Sequence, residues 1–290
     1  MKGMKEYNPI SLTVYFLSVM FIVMFSMNTF IFLLSFLGAL TSYIILKGAK
    51  EKGFMVLILL SFLTSSLINP IVSHNGVTVL FVVNDNPITL EAFLYGISAG
   101  VMITAVMIMF RIYTELMTSE KLLYLFGGLS PKLALILSMS LRYIPLFGRQ
   151  IKKVIMAQKA SGQYNTESFG DRIKSGVRVF SVMVTWALEN GIITADSMTA
   201  RGYGAMKRSR YKSFRFDTAD IVLIILSIAL ACVTVYCLEA TQTLYYPKVE
   251  IEINGLKAYT GLFSFGALAF LPVIAEVKEM IKWKYLKLKI

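Results

Sequence analysis

Long apolar stretches broken by short polar punctuation run through most of this chain, and the punctuation sets the elements. No charged residue occurs between Ile10 and Leu46. A helix rises about 1.5 Å per residue and needs about 20 apolar residues to cross a bilayer, so this run predicts two spans with a turn at Ser26 to Asn28. It is also far longer than the roughly 7 to 15 apolar residues of a secretory signal. A third span is predicted from about Phe54 to Ile68, leaving its helix at Asn69 and Pro70. The β-branched run Val77 to Val83 reads as a short strand or a re-entrant piece. A fourth span runs from Glu91 to Arg111, and two more cover Ala219 to Leu238 and Tyr259 to Val277. The fold class is therefore all-α and polytopic, with about six membrane spans.

Between Glu115 and Phe216 charge is spread through the sequence instead of confined to edges, which predicts helices outside the lipid core. Ser130 and Pro131 suit the N-cap and first position of a helix running towards Pro145. A second helix is predicted over Ile151 to Ser161, stopping at Gly162. Asp171 caps a third that continues to Ala200 and ends at Gly202, with an apolar stripe of Val177, Phe180, Val184, Leu188, Ala195 and Met198. Three regions follow: membrane helices in 1–114, an insert of long amphipathic helices in 115–216, and membrane helices with a basic tail in 217–290.

Charge orients these elements. The 290 residues are 56% hydrophobic and 16% charged, with 29 Lys and Arg against 17 Asp and Glu. Soluble domains of this size carry roughly 25% charge. Six spans with both termini inside leave only Lys248 and Lys257 of the 29 cations outside, as the positive-inside rule demands. The basic excess belongs to the cytoplasmic membrane face, and no nucleic-acid partner is expected. Lys282, Trp283, Lys284, Tyr285 and Lys287 have the chemistry of an interfacial anchor. Whether Lys132 to Phe147 dips into the membrane is left open, although Arg142 in its midst favours an interfacial or partner-covered helix.

Candidate chemistry is sparse. His74 is the only histidine and has no neighbouring ligand residues; with Asn69, Asp85 and Glu91 it fits a polar loop network. Cys232 and Cys237 read as small hydrophobes. No phosphate loop, nucleophile elbow or zinc-protease motif occurs, so no catalytic residue, metal or cofactor is expected. The fourth span carries Ala92, Gly96, Gly100 and Thr104, a small residue at every fourth position. Such a face lets helix backbones approach closely, either within the chain or against another membrane subunit. Ala200, Arg201 and Gly202 end the long basic helix: Gly202 can take the left-handed conformation that stops it, and Ala200 leaves room for a partner. Arg201 is either a solvated cap residue or a five-donor fork for a partner carboxylate.

Several motifs in order then narrow the choice: Ile68 to Ile71 with His74 to Thr78, Asn86 to Glu91, Met117 to Lys121, Leu141 to Pro145, and Thr185 to Asn190 leading into Ala200 to Gly202. Over nearly its whole length the chain resembles the transmembrane T component of energy-coupling factor transporters, importers of vitamins and metals in the ATP-binding-cassette class. The resemblance implies a bacterial or archaeal cell membrane, two cytoplasmic ATPase subunits and a separate membrane subunit that binds substrate. It further implies that two Ala-Arg-Gly motifs end two coupling helices, each touching one ATPase. The second matches at Ala200, Arg201 and Gly202. The first falls on Ala160, Ser161 and Gly162, where the arginine is a serine; Lys159, Gln158 or Ser161 itself is then left to contact the partner. The implied role is energy coupling, not catalysis. A membrane-embedded transferase would need clustered ionisable groups, yet no cation lies between Phe54 and Phe110. A membrane scaffold without transport is the other alternative.

Overall fold

The structure, a computed structural model, describes residues 3–47, 51–73, 75–83, 86–164, 168–205, 214–253 and 255–287. Contacts divide the chain into two compact units, one of residues 1–121 and 215–290 and the other of residues 122–214. Among the described residues the first unit holds α1 (Pro9–Phe25), α2 (Thr29–Lys47), α3 (Lys52–Val72), α4 (Leu90–Leu116), α8 (Thr218–Cys237) and α9 (Gly255–Lys287). Two antiparallel hairpins join it: β1 (Val79–Val83) with β2 (Asn86–Thr89), and β3 (Thr241–Leu244) with β4 (Glu250–Ile253). The second unit begins within α5 (Ser119–Leu129) and contains α6 (Pro131–Ala160) and α7 (Phe169–Ala200).

The all-α polytopic class stands. Five helices, α2, α3, α4, α8 and α9, are long and apolar enough to cross a membrane. The first of the six expected spans, α1, is apolar but has 17 residues, about 26 Å of helix. The turn between α1 and α2 falls at Ser26, as the polar punctuation predicts, and Asn28 holds it. Its side-chain amide donates to the Thr241 carbonyl (2.7 Å), while its own oxygen accepts from the Phe30 N–H (2.9 Å).

Close helix approach contributes to assembling this bundle, since lipid is as apolar as any core and burial alone gives little drive. A Cβ on Gly38 of α2 would lie 2.8 Å from the Ala269 carbonyl of α9. Buried polar pairs supply orientation: the Tyr15 hydroxyl donates to the Leu268 carbonyl (3.0 Å), and the Thr234 and Ser264 hydroxyls pair at 2.9 Å between α8 and α9. At the end nearer the termini, Lys47, Glu51, Arg111 and Glu115 form a cluster joining α2, α4 and the residue preceding α3. Lys47 lies 2.7 Å from Glu51 and 2.9 Å from Glu115, and Arg111 lies 2.9 Å from Glu51. These donors hold the Glu51 carboxyl down at about 2.

The segment before α1 is fastened at both points where the chain leaves for residues 122–214 and returns. Lys121 donates to the Lys5 carbonyl (2.8 Å), and burial lowers its pKa. Asp220, in the first turn of α8, accepts from the Asn8 N–H (2.7 Å), the Ser11 hydroxyl (3.1 Å) and the Asp217 N–H (3.0 Å).

Several expectations need correction. The helix expected to stop near Pro145 and the one expected from Ile151 are a single 30-residue α6 that passes through Pro145. A proline removes one donor, which thirty residues of otherwise helical pattern absorb. Pro70 likewise lies inside α3, which continues to Val72. The N-cap of α7 is Ser168, and Asp171 lies in the first turn, where its charge still favours the helix dipole. Val79–Val83 is a strand, as one of two readings had it. α5 and the β3–β4 hairpin were not anticipated.

Candidate functional site

Both sequence-predicted motif ends are built alike. At the end of α6, the Gly162 N–H donates to the Lys159 carbonyl (3.1 Å) and the Gln163 N–H to that of Gln158 (3.0 Å). At the end of α7, the Gly202 N–H donates to the Thr199 carbonyl (2.9 Å) and the Tyr203 N–H to that of Met198 (2.9 Å). Each is a Schellman cap, the paired hydrogen bonds that close a helix around one left-handed residue. Gly162 at φ +68° and Gly202 at φ +77° provide it, a conformation L side chains rarely adopt. The residues before the glycines superpose in backbone: Ser161 at φ −83°, ψ 3° and Arg201 at φ −82°, ψ 8°. Ser161 thus holds the structural position that Arg201 holds in the other cap.

Their side chains differ. Arg201 is exposed and, among the described residues, its guanidinium has no partner. The Ser161 hydroxyl is exposed but donates back to the Ala157 carbonyl (3.0 Å). The three residues around it do not restore a fork. Lys159 places its ammonium 5.4 Å over the Tyr164 ring, Gln158 is buried, and Ala160 presents only a methyl group. Ala200 is the small counterpart beside Arg201.

The caps lie at opposite ends of an antiparallel pair. Val154, Val179 and Met183 form its buried centre, packed by Phe147, Ile155, Tyr164 and Trp186. Phe147 meets Trp186 edge-on at 5.6 Å, and the Tyr143 and Thr194 hydroxyls pair at 2.9 Å. Beyond the α6 cap, the Arg178 guanidinium donates to the Gln163 carbonyl (3.0 Å). From there to Arg201, α7 covers roughly 35 Å at 1.5 Å per residue.

One face of α7 meets α6 through Val179, Met183, Trp186 and Thr194. The predicted stripe is the opposite face: Val177, Phe180, Val184 and Leu188 are exposed, Leu188 to 65%. Ala195 is exposed with them and Met198 is half-buried. The helix therefore carries two apolar faces, and only one is covered within the described chain.

The small-residue face of α4 has an occupant already. Ala92, Gly96, Gly100 and Thr104 are buried against α3. A Cβ on Gly96 would lie 2.5 Å from the Ser66 carbonyl, and one on Gly100 would lie 3.1 Å from Phe62. Of the two sequence readings, packing within the chain is the one these contacts with α3 support. In the loop before α4, the Thr78 hydroxyl and N–H donate to Glu91, and the Asn69 amide donates to the Ala92 carbonyl (2.9 Å). His74 and Asp85, expected in the same network, lie outside the described residues.

Fold and site together define a polytopic helical membrane protein whose insert presents two glycine-capped helix ends. Residues 8–212 match the CbiQ family, described as cobalt transport protein. The chain belongs to that family. It is similar to the energy-coupling factor transporter transmembrane protein EcfT of Listeria innocua, 36% identical over 96 residues, covering 32% of this chain and 36% of that protein. The protein of the same name from Macrococcus caseolyticus is 27% identical over 243 residues, covering 76% of this chain and 89% of that one. The Bacillus subtilis protein is 31% identical over 102 residues, covering 34% and 38%. The matching span of the Listeria and Bacillus relatives is thus little more than a third of their length. The resemblance to the transmembrane T component of energy-coupling factor transporters rests on these matches as well as on the motifs, and the relatives are named as transporter components, not enzymes.

Proposed function

We propose that this chain couples two cytoplasmic cassette ATPases to a separate substrate-binding membrane subunit, with both termini and residues 122–214 on the cytoplasmic side. The observation that carries the reading is the pair of matched caps at opposite ends of α6 and α7. A motor that closes two similar subunits needs two similar handles, held apart on stiff rods. Arg201 offers one handle a bidentate fork for a carboxylate. Ser161 offers the other only a small polar surface, so the two ATPases are gripped unequally. The uncovered stripe of Val177, Phe180, Val184 and Leu188 supports a further apolar partner, and the substrate-binding subunit is the one that fits. Closure of the ATPases moves the rods as rigid bodies, and the bound subunit releases its cargo inside. The cargo is of the vitamin or metal class, recognised by the other subunit.

Removing one partner of a buried charge pair costs about 2 to 5 kcal/mol. Arg201→Ala should therefore release an ATPase during copurification and abolish uptake, and Arg201→Lys should rescue little, because an ammonium cannot replace a planar fork. Ser161→Arg should tighten the weaker grip. Retention and uptake at wild-type levels in Arg201→Ala would overturn the assignment.

A further inference from the structure

The two hairpins leave the same face of the bundle, the one opposite the termini: the Ser73 hydroxyl after α3 lies 3.5 Å from the Tyr246 hydroxyl between β3 and β4. They differ in how their first strands are covered. In β3, Thr241 and Thr243 are buried while Gln242 and Leu244 face outward, the alternation of a strand with one protein-covered face. Thr243 is pinned to the α1–α2 turn, its hydroxyl donating to the Met27 carbonyl (2.8 Å), and β4 adds Glu250. In β1, Val79, Leu80, Phe81 and Val82 are all exposed, Phe81 to 56%. Successive strand residues point to opposite faces, so both faces of β1 are apolar and neither is covered.

Water is a poor medium for such a strand, and the surface beside it continues in kind. Leu67, Ile68, Ile71 and Val72, the last turns of α3, are exposed apolar residues immediately before the loop that leads into β1. α3 is a membrane span with only 11% of its apolar window buried. The lipid-facing surface therefore runs from α3 into the hairpin. A two-stranded ribbon has unpaired backbone groups on both outer edges, which hydrocarbon does not tolerate, so the strand cannot lie in the bilayer centre. We infer that the β1–β2 hairpin lies in the membrane interface, with Leu80, Phe81 and Val82 reaching the acyl chains of the leaflet on that face.

Nitroxide labels test this in the full chain with any copurifying subunits, reconstituted in phosphatidylcholine nanodiscs with Cys232 and Cys237 changed to alanine. Phe81→Cys and Val82→Cys carry the label in turn, with Leu60→Cys in α3 as the lipid reference and Gln242→Cys in β3 as the aqueous one. Relaxation by oxygen should exceed relaxation by a water-soluble nickel chelate several-fold at positions 81 and 82, as at 60 and not as at 242. A chelate-dominated signal would place the hairpin in water and overturn the inference. Shielding from both reagents would mean a protein covers it, and would overturn it equally. If Phe81→Cys fails to fold, Val82→Cys decides alone.

Discussion

Residues 1–121 with 215–290 and residues 122–214 solve the problem of apolar surface in opposite ways. The first unit buries a continuous set of large side chains, among them Tyr15, Ile108, Leu116, Phe265 and Leu268, and ties its helices with buried hydroxyl pairs and a four-residue ionic cluster. The second buries Val154, Val179 and Met183 between helices of 30 and 32 residues and leaves Val177, Phe180, Leu188 and other apolar side chains exposed. A helix apolar on two faces but covered on one has surface to spare for other molecules. Internal cohesion marks the first unit and uncovered apolar surface the second.

The largest test of that contrast is truncation at each centre. Phe265→Ala, at a fully buried position, should lower the unfolding free energy of the chain in detergent by about 3 to 5 kcal/mol. Val179→Ala in the second unit should cost less, about 1 to 2 kcal/mol. Equal losses in thermal or denaturant unfolding would erase the distinction. Gly96→Leu comes next, because a side chain there meets the Ser66 carbonyl of α3; overpacking of this kind costs about 1 to 3 kcal/mol. A smaller effect concerns acid. The Glu51 carboxyl is held at about 2 against an ordinary 4.5. Its contribution to stability is complete above 4.5 and drains away as pH falls towards 2. Glu51→Gln should therefore lower the melting temperature at neutral pH and flatten its decline between pH 5 and pH 2, relative to wild type. The smallest effect is Leu188→Ser on the exposed stripe, which should shift the stability of the isolated chain by no more than about 0.5 kcal/mol. It should nevertheless reduce recovery of the membrane partner, and loss of folded protein instead would mean the stripe is covered from within.

How much of this was legible in the sequence follows from which interactions are local. The turn at Ser26 and the end of α7 were, because caps and turn residues act over a few positions; the β-branched run before α4 was readable only as a strand or a re-entrant piece. The continuity of α6 through Pro145 was not, since proline disfavours a helix locally and only the whole rod outweighs it. The stripe on α7 was found at helical spacing, but periodicity cannot say which of two apolar faces a neighbour covers. Of the candidate site, Gly162 and Gly202 and the serine-for-arginine difference were readable. That the two caps share one backbone geometry, and that Ser161 spends its hydroxyl on its own helix, required coordinates. The anchoring of Asn8 by Asp220 links positions too distant for any spacing rule.

That last contact and its neighbour at Lys121 have a mechanical result. The segments that enter and leave residues 122–214 are tied to neighbouring points of the chain, Lys121 to Lys5 and Asp220 to Asn8 and Ser11. If residues 122–214 move as proposed, a pull on either segment reaches one short seam beside α1, and the bundle receives it as a single load instead of two independent tugs.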